Sequence, residues 1–458
     1  MPETTPQIID TPWLILGLGM SGYSCAKYLH KRGEDFSVLD TRRKPALLKK
    51  FRDEFPSVHC VLRADIESYD INLDAVATLV MSPGVSIDNA VARKVTENGG
   101  RVVGDIELFC AEVTAPVVAI TGSNAKTTVT TLVGEMAREA NIKVAVGGNI
   151  GVPVLELLEQ QDCELYVLEL SSFQLETTAN LNATVATILN LSDDHMDRYE
   201  SFEHYKLSKQ RIYFGCKNVV VNREESNDDA TFETAQQQIS FGLSAPTQGQ
   251  LGLVQHNQEQ FISYGEQRLI STKELRISGQ HNYLNAMAAI AIAKLVGISE
   301  ASMVSCLKKF KGLAHRCEWV TTINNIAFYN DSKATNVGAC IAALVGLGST
   351  ANGSIVLIAG GDGKGADFTP LVAPVEKYVG TVILFGRDAQ KIKTTLDNVA
   401  EIFLVEALGD AVSLAWAKAS TDDIVLLSPA CASLDLFKSY EHRGDAFKQH
   451  VRKLEVAG

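Results

Sequence analysis

The chain has 458 residues, 46% of them hydrophobic and 21% charged, with a formal net charge of −12 and an isoelectric point near 5.3. At roughly 100–200 residues per domain this length predicts about three domains with ample core. The acidic balance argues against a nucleic acid partner, which needs basic surface, and no apolar run reaches the ~18 residues of a membrane span.

Nine cysteines are scattered without CxxC pairs. Such a set reads as reduced thiols of a cytoplasmic protein, not as a disulfide framework or zinc site. The opening stretch MPETTPQIIDTP has no basic segment followed by an apolar core, so no secretory signal is predicted there.

In chain order, Trp13–Leu16 reads as a strand, 21–32 as a helix and 36–39 as a second strand. The turn after the first strand is Gly17-Leu18-Gly19-Met20-Ser21-Gly22, and Asp40 closes the second. A GxGxxG between strand and helix, with an acid at the next strand end, is the pattern of a dinucleotide phosphate cradle. It is equally a tight turn with a capping Asp. A strand over 75–81 ends at Ser82-Pro83-Gly84, and a boundary falls near 104–115. The basic cluster Arg42–Arg52 is short and interrupted, and reads as a solvated helix face.

The most informative stretch follows. A strand over 116–120 runs into Thr121-Gly122-Ser123-Asn124-Ala125-Lys126-Thr127-Thr128. Backbone N–H groups and a helix N-terminus there suit an anion, Lys126 adds a point charge, and Thr127 offers a hydroxyl to Mg²⁺. The generic GxxxxGK[ST] pattern would place glycine at Ile120 and Ala125, so this loop departs from it twice. Further on, strands over 165–170 and 184–189 carry Glu169 and the run Asp193-Asp194-His195-Met196-Asp197 at their ends. Glu169 suits Mg²⁺ or a water, or a helix cap. His195 is a metal ligand or a structural histidine, and Lys209 by itself is an ordinary exposed lysine.

Residues 222–276 turn acidic, then Gln-rich, and read as surface loops with small strands. A small-residue helix spans about 283–295. Asn285 near its start suits an adenine edge and Asn282 a helix cap. The last third resumes the α/β rhythm, with strands over 326–329, 355–359, 382–385, 402–405 and 424–427. Three turns at one sheet edge, 330–336, 360–365 and 428–433, suggest an anionic ligand, although glycine-rich loops also occur without one.

Taken in order, GLGMSG, DTR, SPG, TGSNAKTT, GGNIG, LELSSFQL, DDHMDRY, HNYLNA, HR, NDSKATN, GGDGKG and SPACASLD resemble a Mur ligase over essentially the whole chain. The resemblance implies an α/β protein of three domains. The first is Rossmann-like and binds the UDP substrate (1–108). The second is a P-loop ATPase-like, mostly parallel sheet that binds ATP (109–313). The third is Rossmann-like and binds the amino acid (314–458). It implies ATP-dependent addition of D-glutamate to UDP-N-acetylmuramoyl-L-alanine through an acyl phosphate, by a monomer with two Mg²⁺ sites.

The resemblance also assigns roles. Gly122, Ser123, Asn124, Ala125, Lys126, Thr127, Thr128, Asn282, Asn285, His315, Arg316, Asp331 and Lys333 would hold ATP. Thr127 and Glu169 would hold one Mg²⁺; His195 and a carbamylated Lys209 would hold the other. Gly19, Met20, Ser21, Asp40, Thr41, Arg42, Ser82, Asn149 and His195 would hold the UDP substrate, and Thr335, Lys364, Ser433, Leu434 and Tyr440 D-glutamate. Ala125 stands where the family has glycine, and Tyr440 where it has phenylalanine. Competing readings are another ligase of this architecture, a nicotinamide oxidoreductase built on GLGMSG and Asp40, and a non-catalytic nucleotide-binding regulator.

Overall fold

In a computed structural model that describes residues 7–67, 71–196, 198–225, 235–277, 279–348 and 351–457, the α/β rhythm becomes three main sheets. The first is fully parallel, in the order Cys60–Leu62, Phe36–Asp40, Trp13–Leu16, Thr78–Met81, Arg101–Val103. Leu14, Ile15 and Leu16 are completely buried, as expected of a parallel strand covered on both faces. The chain reverses its direction of winding at Trp13–Leu16. Its carboxyl end and that of Thr78–Met81 therefore open a crevice at a topological switch point.

The second sheet has nine strands. Val117–Thr121 lies between Val185–Ile188 and Leu165–Glu169, all parallel. The helix Gln280–Leu295 is buried along Asn285–Ala293 and shares one apolar cluster with the helix Lys126–Glu139. Alanines make this possible, because small side chains let a helix sink between a sheet and another helix. Among the described residues of 222–276 the expected small strands are present. Gln237–Phe241 continues the parallel sheet, and Gln250–His256, Glu259–Tyr264 and Gln267–Ser271 form an antiparallel meander at its edge. Its polar residues alternate with Leu251, Leu253, Ile262 and Ile270, which are buried, so period-two patterning outweighs mean polarity.

The third sheet is ordered Glu318–Ile323, Ile326–Asn330, Ile424–Leu427, Ile355–Gly360, Val379–Phe385, Glu401–Leu404. Only the first of these strands is antiparallel to its neighbour. Ile326–Asn330, Ile424–Leu427 and Ile355–Gly360 are adjacent, which gathers the three predicted turns at one edge.

The first and second sheets share an apolar cluster that joins Leu18, Cys25 and Phe36 to Phe109, Ala119 and Leu168. The third has its own clusters, around Leu357 and around Phe447. All nine cysteines are free. No helix among the described residues is long and apolar enough to cross a membrane.

Gly22 marks the tightest approach in the first turn. A Cβ there would lie 1.9 Å from the Gly17 carbonyl oxygen. Gly22→Ala is expected to cost about 1–3 kcal/mol through the forced backbone shift. Thermal melting should show a clear drop; an unchanged midpoint would contradict so close a packing.

Candidate active site

The loop after Val117–Thr121 is held from behind. The Asn190 side chain accepts from Asn124 N–H at 2.7 Å and donates to the Asn124 carbonyl at 3.1 Å. Ser123 Oγ lies 2.9 Å from the Tyr205 hydroxyl and donates to the Ser192 carbonyl at 2.9 Å. Lys126 opens the helix and folds its ammonium back onto the Gly122 and Ser123 carbonyls at 2.7 and 3.0 Å. Ala125 caps this helix at φ +65°, the left-handed region that glycine enters without cost. The loop therefore keeps the backbone that a glycine would give it and carries the strain of a Cβ.

Positive charge collects around this loop. Lys209 is 2% exposed and donates to Thr121 Oγ1 at 3.2 Å and the Gly122 carbonyl at 3.0 Å. The ordinary exposed lysine of the sequence reading is thus corrected, because its helix, Phe202–Gln210, turns that face onto the strand end. Burial, then the nearby Lys126 charge, pulls the Lys209 amine well below its usual range. Burial also lowers Lys126, against the pull of Glu169 and Asp194. From the third sheet, Arg316 donates to Thr127 Oγ1 at 2.6 Å. Lys333 lies 4.0 Å over the Tyr440 ring, and burial followed by Arg316 brings it down to about 8.

Few acids answer these cations. Glu169 is 2% exposed; one oxygen accepts from Asn149 Nδ2 at 2.8 Å and the other is buried without a partner. It does not cap the following helix, which has Ser171 in a full capping box. A bare carboxylate oxygen close to Lys126 suits a hard cation such as Mg²⁺, which binds through one or two carboxylates and phosphate oxygens. Among the described residues no three His, Cys, Asp or Glu side chains gather into a metal cage. Asp331 accepts from Ser428 Oγ at 2.8 Å and Cys317 N–H at 3.1 Å, and burial pushes its carboxyl up to about 7.

Asp194 bridges two units. It takes an ion pair from Lys364 at 3.0 Å and a hydrogen bond from Asn336 at 3.3 Å. Burial raises its carboxyl, but Lys364 and His195 outweigh that, so it stays ionised to low pH. Asn336 also donates to Asn124 Oδ1 at 3.1 Å. His195 sits at φ +59°, edge-on to Phe173. Asp197 of the same run lies outside the described residues. Lys364 (φ +52°), His315 (φ +64°), Cys317 (φ +44°) and Ala430 (φ +57°) share this left-handed backbone. Such strain collects where surrounding structure over-determines a site.

A cavity of about 300 Å³ opens here, lined by Asn124, Asn282, Asn285, Arg316, Asp331 and Lys333 among others. Asn282 is not a cap; its helix starts after Gly279. The loops of Thr335, Lys364 and Ser433 are tied together. Asp362 and Ala432 exchange two backbone hydrogen bonds, and the fully buried Arg443 donates to Ser332, Cys431 and Ala432. Tyr440 has a partner for its hydroxyl in Glu441, and burial with that contact raises it to about 12. Leu434, by contrast, is 73% exposed.

A second cavity, about 510 Å³, lies at the first switch point between Gly19–Ser21, Asp40–Arg42, Ser82–Val85 and Asn149. Asp40 accepts from Leu18 N–H at 2.7 Å and from the Arg42 side chain at 2.9 and 2.7 Å. Both oxygens are committed, so Asp40 fixes the glycine loop instead of standing free as the acidic ribose ligand of a nicotinamide site. It does not cap the helix Met20–Lys31, whose N-cap is Gly19. Asn190, Tyr205 and Arg443 escaped sequence reasoning. Only Asn190 had a signal, as a polar residue just after a strand beside the phosphate loop.

A phosphate-loop unit with a cation-rich cleft, set between two further parallel α/β units, defines a nucleotide-dependent enzyme that brings separate substrates together. The chain matches the Mur ligase MurD-like N-terminal domain over residues 11–104, the Mur ligase middle domain over 120–293 and the Mur ligase glutamate ligase domain over 315–431. It belongs to the Mur ligase family, ATP-dependent ligases of peptidoglycan precursor synthesis. Its relatives include proteins named UDP-N-acetylmuramoylalanine–D-glutamate ligase from Pseudomonas syringae (47% identity), Hahella chejuensis (46%) and Legionella pneumophila (45%). Each match covers 96% of this chain and 98–99% of the relative. Two solved structures share the fold. A pseudomurein peptide ligase from Methanothermus fervidus matches with TM-score 0.60 and 17% identity, over 97% of this chain and all of that one. A UDP-N-acetylmuramate-alanine ligase from Thermotoga maritima matches with TM-score 0.59 and 18% identity, over 98% of this chain and all of that one.

Two outcomes follow from this geometry. Ala125→Gly relieves about 1–2 kcal/mol of left-handed strain against about 0.5–1 kcal/mol of added unfolded-state entropy. Melting temperature and ATP turnover should hold or rise, and a large loss of turnover would refute this reading of the loop. The second concerns Lys333. Its folded value near 8 lies below the free-lysine range, so the empty site sheds this proton as pH rises through about 8. A polyphosphate beside it restores the ammonium. Nucleotide binding at pH 8.5 should therefore take up protons, read by calorimetry in buffers of different ionisation enthalpy, and Lys333→Met should reduce that uptake.

Proposed function

We propose that this chain joins D-glutamate to UDP-N-acetylmuramoyl-L-alanine, consuming ATP and releasing ADP and phosphate. The observation that carries the activation step is the cleft where Lys126, Arg316 and Lys333 converge with one bare Glu169 oxygen. The choice of amino acid rests on the relatives of the same name, which align along nearly the whole chain.

The three units, taken as 1–108, 109–313 and 314–458, divide the work. Arg42, exposed beside the committed Asp40, meets the uridine diphosphate with Gly19, Met20, Ser21, Thr41 and Ser82. Asn149 and His195 lie toward the acceptor's terminal carboxylate. A carboxylate is a poor electrophile, so one of its oxygens attacks the γ-phosphorus of ATP and ADP departs. The acyl phosphate that results has a good leaving group. The D-glutamate amine, held with its carboxylates toward Lys364, Thr335 and Ser433, attacks the carbonyl carbon. The amine loses a proton, and phosphate leaves from the tetrahedral intermediate. Lys126 and Arg316 neutralise the phosphoryl charge that develops, so the work is positioning and electrostatics.

Thr127 and Glu169 would hold one Mg²⁺, and His195 with Lys209 a second. Bound there, the metal supplies charge neutralisation for the phosphates. Burial lowers the Lys209 pKa and so favours the neutral amine, the form that adds carbon dioxide to give a carbamate and a proton; the carbamate is an oxygen ligand suited to a hard cation. We take the enzyme to be a cytoplasmic monomer.

The deciding experiment measures phosphate release with UDP-N-acetylmuramoyl-L-alanine, ATP and Mg²⁺ against D-Glu, L-Glu, L-Ala and meso-diaminopimelate. Release with D-Glu alone is expected. Silence with D-Glu, or equal release with another amino acid, removes the assignment.

A further inference from the structure

Arg198 belongs to the acidic run that carries His195, and the reaction above gives it no part. Its Nη1 donates to the Pro83 carbonyl at 2.9 Å, and its Nη2 donates to the Val85 carbonyl at 2.9 Å and to Glu176 Oε2 at 3.2 Å. The guanidinium carbon lies 4.0 Å over the Phe173 ring. Phe173 in turn meets His195 edge-to-face at 4.9 Å and stacks on Tyr199 at 5.9 Å. The Arg198 and Glu176 side chains are only 17% and 12% exposed.

The two carbonyls lie in the loop Ser82–Val85, which lines the 510 Å³ cavity. Within the first unit that loop is anchored by Ser82 Oγ, which donates to the Gly17 carbonyl at 2.8 Å. Ser82 N–H also donates to the Leu16 carbonyl at 2.9 Å, whereas the Pro83 and Val85 carbonyls are taken by Arg198, more than a hundred residues downstream in the second unit. A guanidinium is suited to this task. Its planar fork spans two carbonyls, pairs one carboxylate and stacks on a ring at once, and an ammonium does not.

We propose that Arg198 is a positioning residue. It sets the shape of the acceptor-binding loop from the second unit and, through Phe173, ties that loop to the orientation of His195. The proposal deepens the functional reading above and rests on it for the identity of the ligand. Losing the guanidinium leaves two carbonyls and the Glu176 carboxylate without their shared donor in a half-buried junction. The loop then samples other conformations, and acceptor binding carries the cost of ordering it.

The test uses full-length Arg198→Ala and Arg198→Lys. Hydrogen exchange of the ligand-free proteins is followed at 82–87, and KM is measured separately for the UDP acceptor, ATP and D-glutamate. Faster exchange at 82–87 is expected in both variants. KM for the acceptor should rise about tenfold or more, and less in the lysine variant, while KM for ATP stays within about twofold. The weakening should also appear with UDP alone, by calorimetry. Unchanged exchange at 82–87 overturns the proposal, and so does an equal rise in all three KM values. A wild-type protein that binds no UDP sinks the functional reading instead, and Arg198 is then judged on the exchange alone.

Discussion

Cationic side chains gathered at one partly buried cleft are the constraint on which this structure turns. Lys126, Lys209, Arg316 and Lys333 come from two sheets to one place, and burial works against the charge of each. Glu169 and Asp194 offset only part of it. Such an arrangement is costly while empty and favourable once a polyanion enters. The strained backbone at Ala125, His195, His315 and Lys364 adds to what the surrounding cores must hold in place.

Those cores are distributed unevenly. An apolar cluster runs continuously from the first sheet into the second, so the cavity at Ser82 and the phosphate loop sit on one well-packed body. The third sheet has separate clusters and meets the second across the cleft through polar contacts such as Asn124–Asn336, Thr127–Arg316 and Asp194–Lys364. Polar contacts of this kind exchange for water at low net cost, unlike apolar burial. Rearrangement at the second junction is accordingly the cheaper one.

Much of this was legible in the chain. Parallel strands announce themselves as short apolar runs, and the turns after Leu16, Thr121, Asn330 and Gly360 carry glycine, lysine or aspartate where ligands meet strand ends. Other features were not. Lys209 looks solvated because its burial depends on a strand end 88 residues away. Arg198 and Arg443 reach across 115 and 111 residues to their carbonyl partners, and no local spacing encodes that. The small strands at 250–271 were legible from their alternation in spite of polar composition, whereas their antiparallel pairing at the sheet edge was not. Asn282 looked like a cap because the true helix start, after Gly279, has no capping side chain.

The Lys364–Asp194 pair also bears on inhibition. An acidic ligand that takes Lys364 must first evict a carboxylate the protein already supplies, one held ionised to low pH. Measured potency of a dicarboxylate compound would then be a difference between two contacts, not the strength of one. A molecule that also offers Asp194 a cation would keep both halves of the exchange satisfied, so a zwitterion should outperform a plain diacid of the same shape.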